Sequence, residues 1–136
     1  MPIPVLGQQG PVTFTQLQDS MQSHPRRIVI EIYTDWCSYC RMQDIQIRKT
    51  PALQQLLNEK YYFIRLNAED PTPLTLNDTT YTFIRQGNQG IHALAARLIP
   101  PPVAYPAWVV LDTSYQVQKY YTGFLKSRDL LLWLGN

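Results

Sequence analysis

Charge is scarce in this chain. Of its 136 residues only 16% are Asp, Glu, Lys or Arg, and twelve cations against ten carboxylates leave a formal net charge of +2. So small and evenly spread a balance provides neither the cationic groove of a nucleic-acid binder nor a polybasic membrane patch. Long hydrophobic runs are missing too. No stretch approaches the ~18 apolar residues of a spanning helix, so no membrane crossing is expected. The opening Met1-Pro2-Ile3-Pro4 lacks the basic and apolar regions of a signal peptide, although a chain whose leader has been removed reads the same. Cysteine is rarer still, with two residues, Cys37 and Cys40. A closed structural zinc site needs about four ligands. The other soft donors, His24 and His92, stand at no metal-ligand spacing, so no metal is expected. What is present argues for a packed fold: 45% hydrophobic and 12% aromatic residues, in a length that suits a single domain over 1–136.

The order of elements can be read from periodicity. Thr13-Phe14-Thr15-Gln16 has capping-box spacing, and Phe14, Leu17 and Met21 continue at helical intervals. Arg26 to Tyr33 (RRIVIEIY) is a β-branched run that reads as a buried strand. A helix is expected from about Cys37 to Arg48 and restarts at Thr50-Pro51, with Thr50 as cap and proline at the first helical position. Tyr62 to Asn67 is the next strand. Leu74-Thr75-Leu76 and Tyr81-Thr82-Phe83-Ile84, flanking Asn77 to Thr80, predict one small hairpin, and Ile91 to Leu98 a short helix ended by Pro100-Pro101-Pro102. Ala107 to Leu111 and Val117 to Tyr121 form a second hairpin around Asp112-Thr113-Ser114, with Tyr120-Tyr121 expected to pack on the strand. Ser127 is expected to cap a last helix. A central mixed sheet with helices on both faces buries all of these apolar stripes.

The two cysteines lie in Trp36-Cys37-Ser38-Tyr39-Cys40, between a strand and a helix, and read as a redox pair. A thiolate, not a thiol, attacks a disulfide, so the site must lower the ordinary cysteine pKa of about 8.5. A helix N-terminus does this with unpaired N–H groups and the positive end of its dipole. Cys40 falls one turn later on the same face and can attack a mixed disulfide formed at Cys37, releasing reduced substrate. The alternative, a static disulfide, closes too short a loop to constrain the unfolded chain much.

The run Ile28-Val29-Ile30-Glu31-Ile32-Tyr33-Thr34-Asp35-Trp36-Cys37-Ser38-Tyr39-Cys40, Tyr105-Pro106 before a strand, and Gly123 before the last helix resemble the thioredoxin superfamily. The resemblance covers nearly all of the chain after about residue 12. The approach Tyr33 to Cys37 is most similar to secreted bacterial thioredoxin-like proteins and to the C-terminal thiol-exchange domain of DsbD transporters. It implies an α/β, thioredoxin-like fold, a central mixed sheet flanked by helices, with an inserted β-hairpin before the cis-proline strand. Ser38-Tyr39 stands where ordinary thioredoxins carry Gly-Pro, which argues against a strongly reducing role. Residues 71–98 are longer than thioredoxins place before the proline, either as a lid that selects partners or as a decoration of the sheet edge.

The resemblance also implies roles. Cys37 is the nucleophile and Cys40 the resolving thiol. Glu31, six residues before Cys37, stands where thioredoxins carry a buried acid that helps deprotonate the second cysteine; burial would raise its pKa toward neutrality, whereas strand alternation alone allows it to face outward. Asp44, four residues after Cys40, is an acid found at the same place in DsbD-type domains. Trp36 shields the disulfide, Tyr39 is a surface aromatic for partners, and Tyr105 and Pro106 line the substrate strand site. His92 is too isolated to be a ligand or base.

These readings lead to a protein disulfide oxidoreductase working in the reductase or isomerase direction. Its partners are protein thiols and disulfides and an unidentified thiol electron donor. No cofactor is expected beyond the redox-active Cys37–Cys40 disulfide, and the chain is expected to be a monomer. The competing reading is a non-catalytic module that holds extended peptides beside Trp36, Tyr39 and Tyr105. Having no cysteine outside the motif suits an oxidising compartment, so a periplasmic or otherwise exported protein is expected, with the cytoplasm as the alternative.

Overall fold

The computed structural model describes residues 10–135, so the reading of Met1 to Pro4 lies outside the described residues. At its centre is β1 (Arg27–Tyr33), with five consecutive buried residues. A strand covered on both faces needs apolar residues on both, which Ile28, Val29, Ile30 and Ile32 provide. On one side β1 pairs in parallel with β2 (Tyr61–Asn67). A parallel neighbour requires a crossover, and it is made by α2 (Ser38–Arg48) and α3 (Pro51–Glu59). On the other side β1 pairs antiparallel with β7 (Ala107–Leu111), and β7 with β8 (Val117–Thr122). The sheet order is β2-β1-β7-β8.

Each face of this mixed sheet carries a separate apolar core. Ile28, Ile30, Ile32 and Val109 pack with Leu17 and Met21 of α1 (Phe14–Ser23) and Leu94 and Leu98 of α4 (Ala93–Leu98). On the opposite face Val29, Phe63, Trp108 and Val110 pack with Leu53 and Leu57 of α3 and Leu130 and Leu134 of α5 (Ser127–Leu134). The expected architecture is present: a central mixed sheet flanked by helices.

The helix ends hold both agreements and corrections. Thr13 and Gln16 form the capping box, each side chain bonded to the other's backbone N–H. Thr50 occupies the cap position of α3 but makes no side-chain cap; its hydroxyl donates to the Gln46 carbonyl at 2.7 Å. The cap of α5 is Lys126, not Ser127. Ser127 is the first helical residue, and its hydroxyl is drawn to Gln46 and Thr50 across the interface. In both places a tertiary partner displaces the local cap. Tyr120 and Tyr121 do not pack into the sheet: β8 is an edge strand and both are exposed, Tyr121 tilting against Trp133.

Residues 71–98 differ most from expectation. Two hairpins form, not one: β3 (Leu74–Leu76) with β4 (Thr79–Tyr81), and β5 (Phe83–Gln86) with β6 (Gln89–His92). Asn77 and Asp78 both take positive φ, the two-residue turn that suits a right-twisted hairpin. The run Tyr81 to Ile84 breaks at Thr82, whose carbonyl accepts from the Ala93 N–H. Gly90 lies so close to the Phe83 ring and the Ile84 carbonyl that a Cβ would collide with both. The short helix therefore starts at Ala93, while Ile91 and His92 complete β6. No helix among the described residues is long and apolar enough to cross a membrane.

Candidate active site

The site stands where β1 ends. Residues 34–37 leave the sheet, and Cys37 becomes the N-cap of α2 in extended conformation. Its sulfur accepts a hydrogen bond from the Cys40 N–H at 3.1 Å. Cys37 and Cys40 are bridged as a disulfide, with Cα atoms 5.2 Å apart. When that bond opens, the amide aimed at Cys37 and the positive end of α2 are already placed to hold a thiolate there. Both cysteines are nearly buried, but their neighbours are not: Trp36 is 65% exposed and Tyr39 59%.

Trp36 is fixed from two sides. Its indole N–H donates to the Glu69 carboxylate, at 3.2 and 3.1 Å to the two oxygens. Its ring meets Tyr105 edge-on with centroids 6.2 Å apart. Burial, and to a lesser degree Glu69, raises the Tyr105 phenol above its ordinary pKa. The Tyr105–Pro106 bond is cis, and so is Pro101–Pro102. Ile32 pairs with Ala107, so Pro106 lies one step further along the ladder, at the end of β1 from which the CxxC segment departs. Gly123, at φ +119°, closes β8 there with its N–H on the Pro106 carbonyl.

Glu31 faces inward and is fully buried. It is opposite Arg65 in the parallel register, and the Arg65 Nε donates to its Oε1 at 3.1 Å. A second guanidinium nitrogen of Arg65 donates to Asp44 at 2.8 Å. The Glu31 carboxyl is pushed up from 4.5 to about 8, first by burial and next by the Asp44 carboxylate, with Arg65 pulling the other way. Cys40 and Asp44 are one turn apart on α2, above this strand pair.

Three residues of the site were not found by sequence reasoning. Arg65 could have been, since a charge inside the apolar run YYFIRLN is the same signal that marks Glu31 in IVIEI. Glu69 gave no signal, as a carboxylate in a loop is commonplace. Gln43 also gave none, yet it is fully buried and ties the cysteine helix to the loop before α5: its amide donates to the Leu125 carbonyl at 2.8 Å and its oxygen accepts the Leu125 N–H at 2.9 Å. The Trp108 indole N–H also points to that oxygen, at 3.4 Å. Gln43→Ala strands these groups without partners and should lower stability by about 2–3 kcal/mol, measured by urea unfolding of the oxidised protein. His92 is buried and satisfied: the Leu94 N–H donates to Nδ1, which leaves Nε2–H to donate to the Thr72 carbonyl.

No family model and no curated protein matches the chain. Solved structures do. The disulphide isomerase of Xylella fastidiosa Temecula1 superposes with a TM-score of 0.60 at 13% identity, over 98% of this chain and 97% of that one. A thioredoxin from Thermus thermophilus gives 0.64 at 14%, over 94% and 85%. The C-terminal domain of DsbD from Neisseria meningitidis, in its reduced form, gives 0.54 at 19%, over 89% and 93%. At these identities the likeness speaks for the backbone alone: the chain has the thioredoxin fold.

Proposed function

We propose that this protein is a thiol–disulfide oxidoreductase acting on protein disulfides through Cys37 and Cys40. The observation that carries the proposal is the Cys37–Cys40 bridge at the start of α2, with the Cys40 N–H directed at the Cys37 sulfur. Cys37 is the attacking sulfur. Cys40, one turn into the helix, resolves the mixed disulfide. Glu31 carries the proton of Cys40. Trp36, Tyr39, Tyr105 and Pro106 form the groove that takes the substrate segment. The whole chain acts as a single-domain monomer, and the absence of cysteine outside the pair supports work in an oxidising, exported setting.

The experiment is insulin reduction with dithiothreitol as electron source. The wild type should accelerate it, and Cys37→Ser should return it to the uncatalysed rate. Peptide binding that survives Cys37→Ser, with no turnover by the wild type, would instead identify a binding module built around the exposed Trp36 and Tyr39. The direction of electron flow is read from the potential of the pair: about −270 mV marks a reductase and about −120 mV an oxidant.

A further inference from the structure

Glu31, Thr34, Gln43 and His92 are the buried polar or charged residues among those described. Gln43 and His92 are bonded through both of their polar atoms, and Glu31 is held by Arg65. Thr34 differs. It is 2% exposed, and its hydroxyl has no hydrogen-bond partner among the described residues. A hydroxyl that neither water nor a protein acceptor reaches costs free energy that valine, of similar shape, would not.

This hydroxyl stands at the neck of the active site. Thr34 follows the last residue of β1, and its carbonyl accepts the Cys37 N–H at 3.4 Å, closing the turn 34–37 that leads to the cap of α2. The first and last residues of such a turn have Cα atoms less than about 7 Å apart, so Thr34 and Cys37 are spatial neighbours. Alternation from Ile32 puts the Thr34 side chain on the face of the sheet that holds Ala68 and Tyr105. Tyr105 in turn meets Trp36, the residue beside Cys37. The charged and titratable groups nearby are engaged elsewhere or face water. The Arg41 guanidinium donates to the Asp35 carbonyl at 3.3 Å, and Glu69 accepts from Trp36. Glu31, Asp44 and Tyr33 all meet Arg65. The Asp35 and Tyr39 side chains are exposed. Among the described residues the Cys37 sulfur has one donor, the Cys40 N–H.

We propose that Thr34 is a further catalytic residue: its hydroxyl is idle in the oxidised protein and donates to the Cys37 thiolate once the Cys37–Cys40 bond opens. This rests on the proposed exchange at Cys37. A disulfide sulfur is a weak acceptor, whereas a thiolate takes charge-assisted hydrogen bonds. Opening the bond therefore creates the acceptor that Thr34 lacks. A dithiol donor opens it, becoming a disulfide itself as its two electrons pass to Cys37 and Cys40. Of the two protons the dithiol gives up, one ends on Cys40 and the other in solution, which leaves Cys37 ionised. The hydroxyl lowers the energy of this reduced state and not that of the bridge. It makes Cys37 a stronger acid and a better leaving group, and the pair more oxidising.

The test measures the Cys37 pKa of the reduced full chain, from the pH dependence of its alkylation, and the redox equilibrium of the pair with glutathione. Thr34→Val should raise that pKa by about one pH unit and shift the equilibrium about tenfold toward the disulfide, about 30 mV in potential. At neutral pH the same variant should unfold at higher urea when oxidised, since the idle hydroxyl is gone, and at lower urea when reduced. Thr34→Ser keeps the donor and should stay near the wild type in pKa and equilibrium. A purely structural role would move the oxidised and reduced forms together and leave the Cys37 pKa in place. If Thr34→Val does not fold, Thr34→Ala, which cannot overfill the site, carries the same comparison. A low wild-type pKa at Cys37 that none of these variants moves would overturn the role of Thr34 and leave the exchange at Cys37 standing. A rise at Cys40 and not at Cys37 would overturn it as well. A wild-type Cys37 with the ordinary thiol pKa of about 8.5 would overturn both.

Discussion

Replacing Glu31 with glutamine is expected to give a protein that is more stable in mild alkali and poorer at thiol exchange. The two effects have one origin. Folding raises the carboxyl from 4.5 to about 8, chiefly through burial. A carboxyl with a raised folded-state pKa costs stability as pH rises, since between those two values the folded chain binds a proton that the unfolded chain has released. The cost is absent below about pH 4.5, grows by about 1.4 kcal/mol per pH unit, and levels off above about pH 8, where it is of the order of 5 kcal/mol. A glutamine in its place would carry no such slope. The amide group can donate toward Asp44, and the amide oxygen can accept from Arg65, so the shape of the protonated acid is kept. Urea unfolding of the oxidised proteins from pH 4 to pH 9 should therefore show the variant and wild type converging in acid and separating in base. Equal slopes for the two would mean that Glu31 ionises normally. Exchange near neutral pH should fall about a hundredfold in the variant, the typical contribution of a positioned proton carrier.

The reach of the sequence is clearest around this same residue. IVIEI marks Glu31 as a carboxyl inside an apolar strand, but alternation alone leaves its facing open, and the partner that receives it inside the fold is Arg65. The CxxC, its helix and the strand-opening proline were equally legible, since each depends on local spacing. The missed features depend on distance. Arg65 is opposite Glu31 because β1 and β2 align in parallel, with the crossover of α2 and α3 between them. Gln43 reaches Leu125 across eighty-two residues. The same rule explains the errors at Thr50 and Ser127: both are good caps by composition, and each hydroxyl found a partner on another helix. In 71–98 the sequence carries turn chemistry for two hairpins, at Asn77-Asp78 and Gly87-Asn88, and the expectation of a single hairpin uses only the first.

Cys40→Ala should convert the protein from a turning-over catalyst into a covalent trap. With Cys40 gone, Cys37 keeps its place at the N-cap of α2 and the backbone amide directed at its sulfur, since both belong to the main chain. It can still attack a substrate disulfide, forming a Cys37–substrate bond and expelling one substrate thiolate. The second attack has no nucleophile. The adduct therefore persists until an external thiol removes it, whereas in the wild type the neighbouring Cys40 resolves it. Mass spectrometry after mixing with a disulfide-containing protein should show close to one adduct per Cys40→Ala chain, reversed by dithiothreitol and missing when Cys37 is also replaced. Stable adducts on Cys37→Ala instead would exchange the roles of the two sulfurs. Adding Glu31→Gln to the trap separates the two halves of the reaction. Glu31 serves the proton of Cys40, so the rate of adduct formation in Cys40→Ala should be nearly unchanged by it, while adducts in a chain that keeps Cys40 should resolve more slowly. A large loss in adduct formation would place Glu31 at the first attack, in contact with the chemistry of Cys37, and the proton path drawn through Cys40 would have to be redrawn.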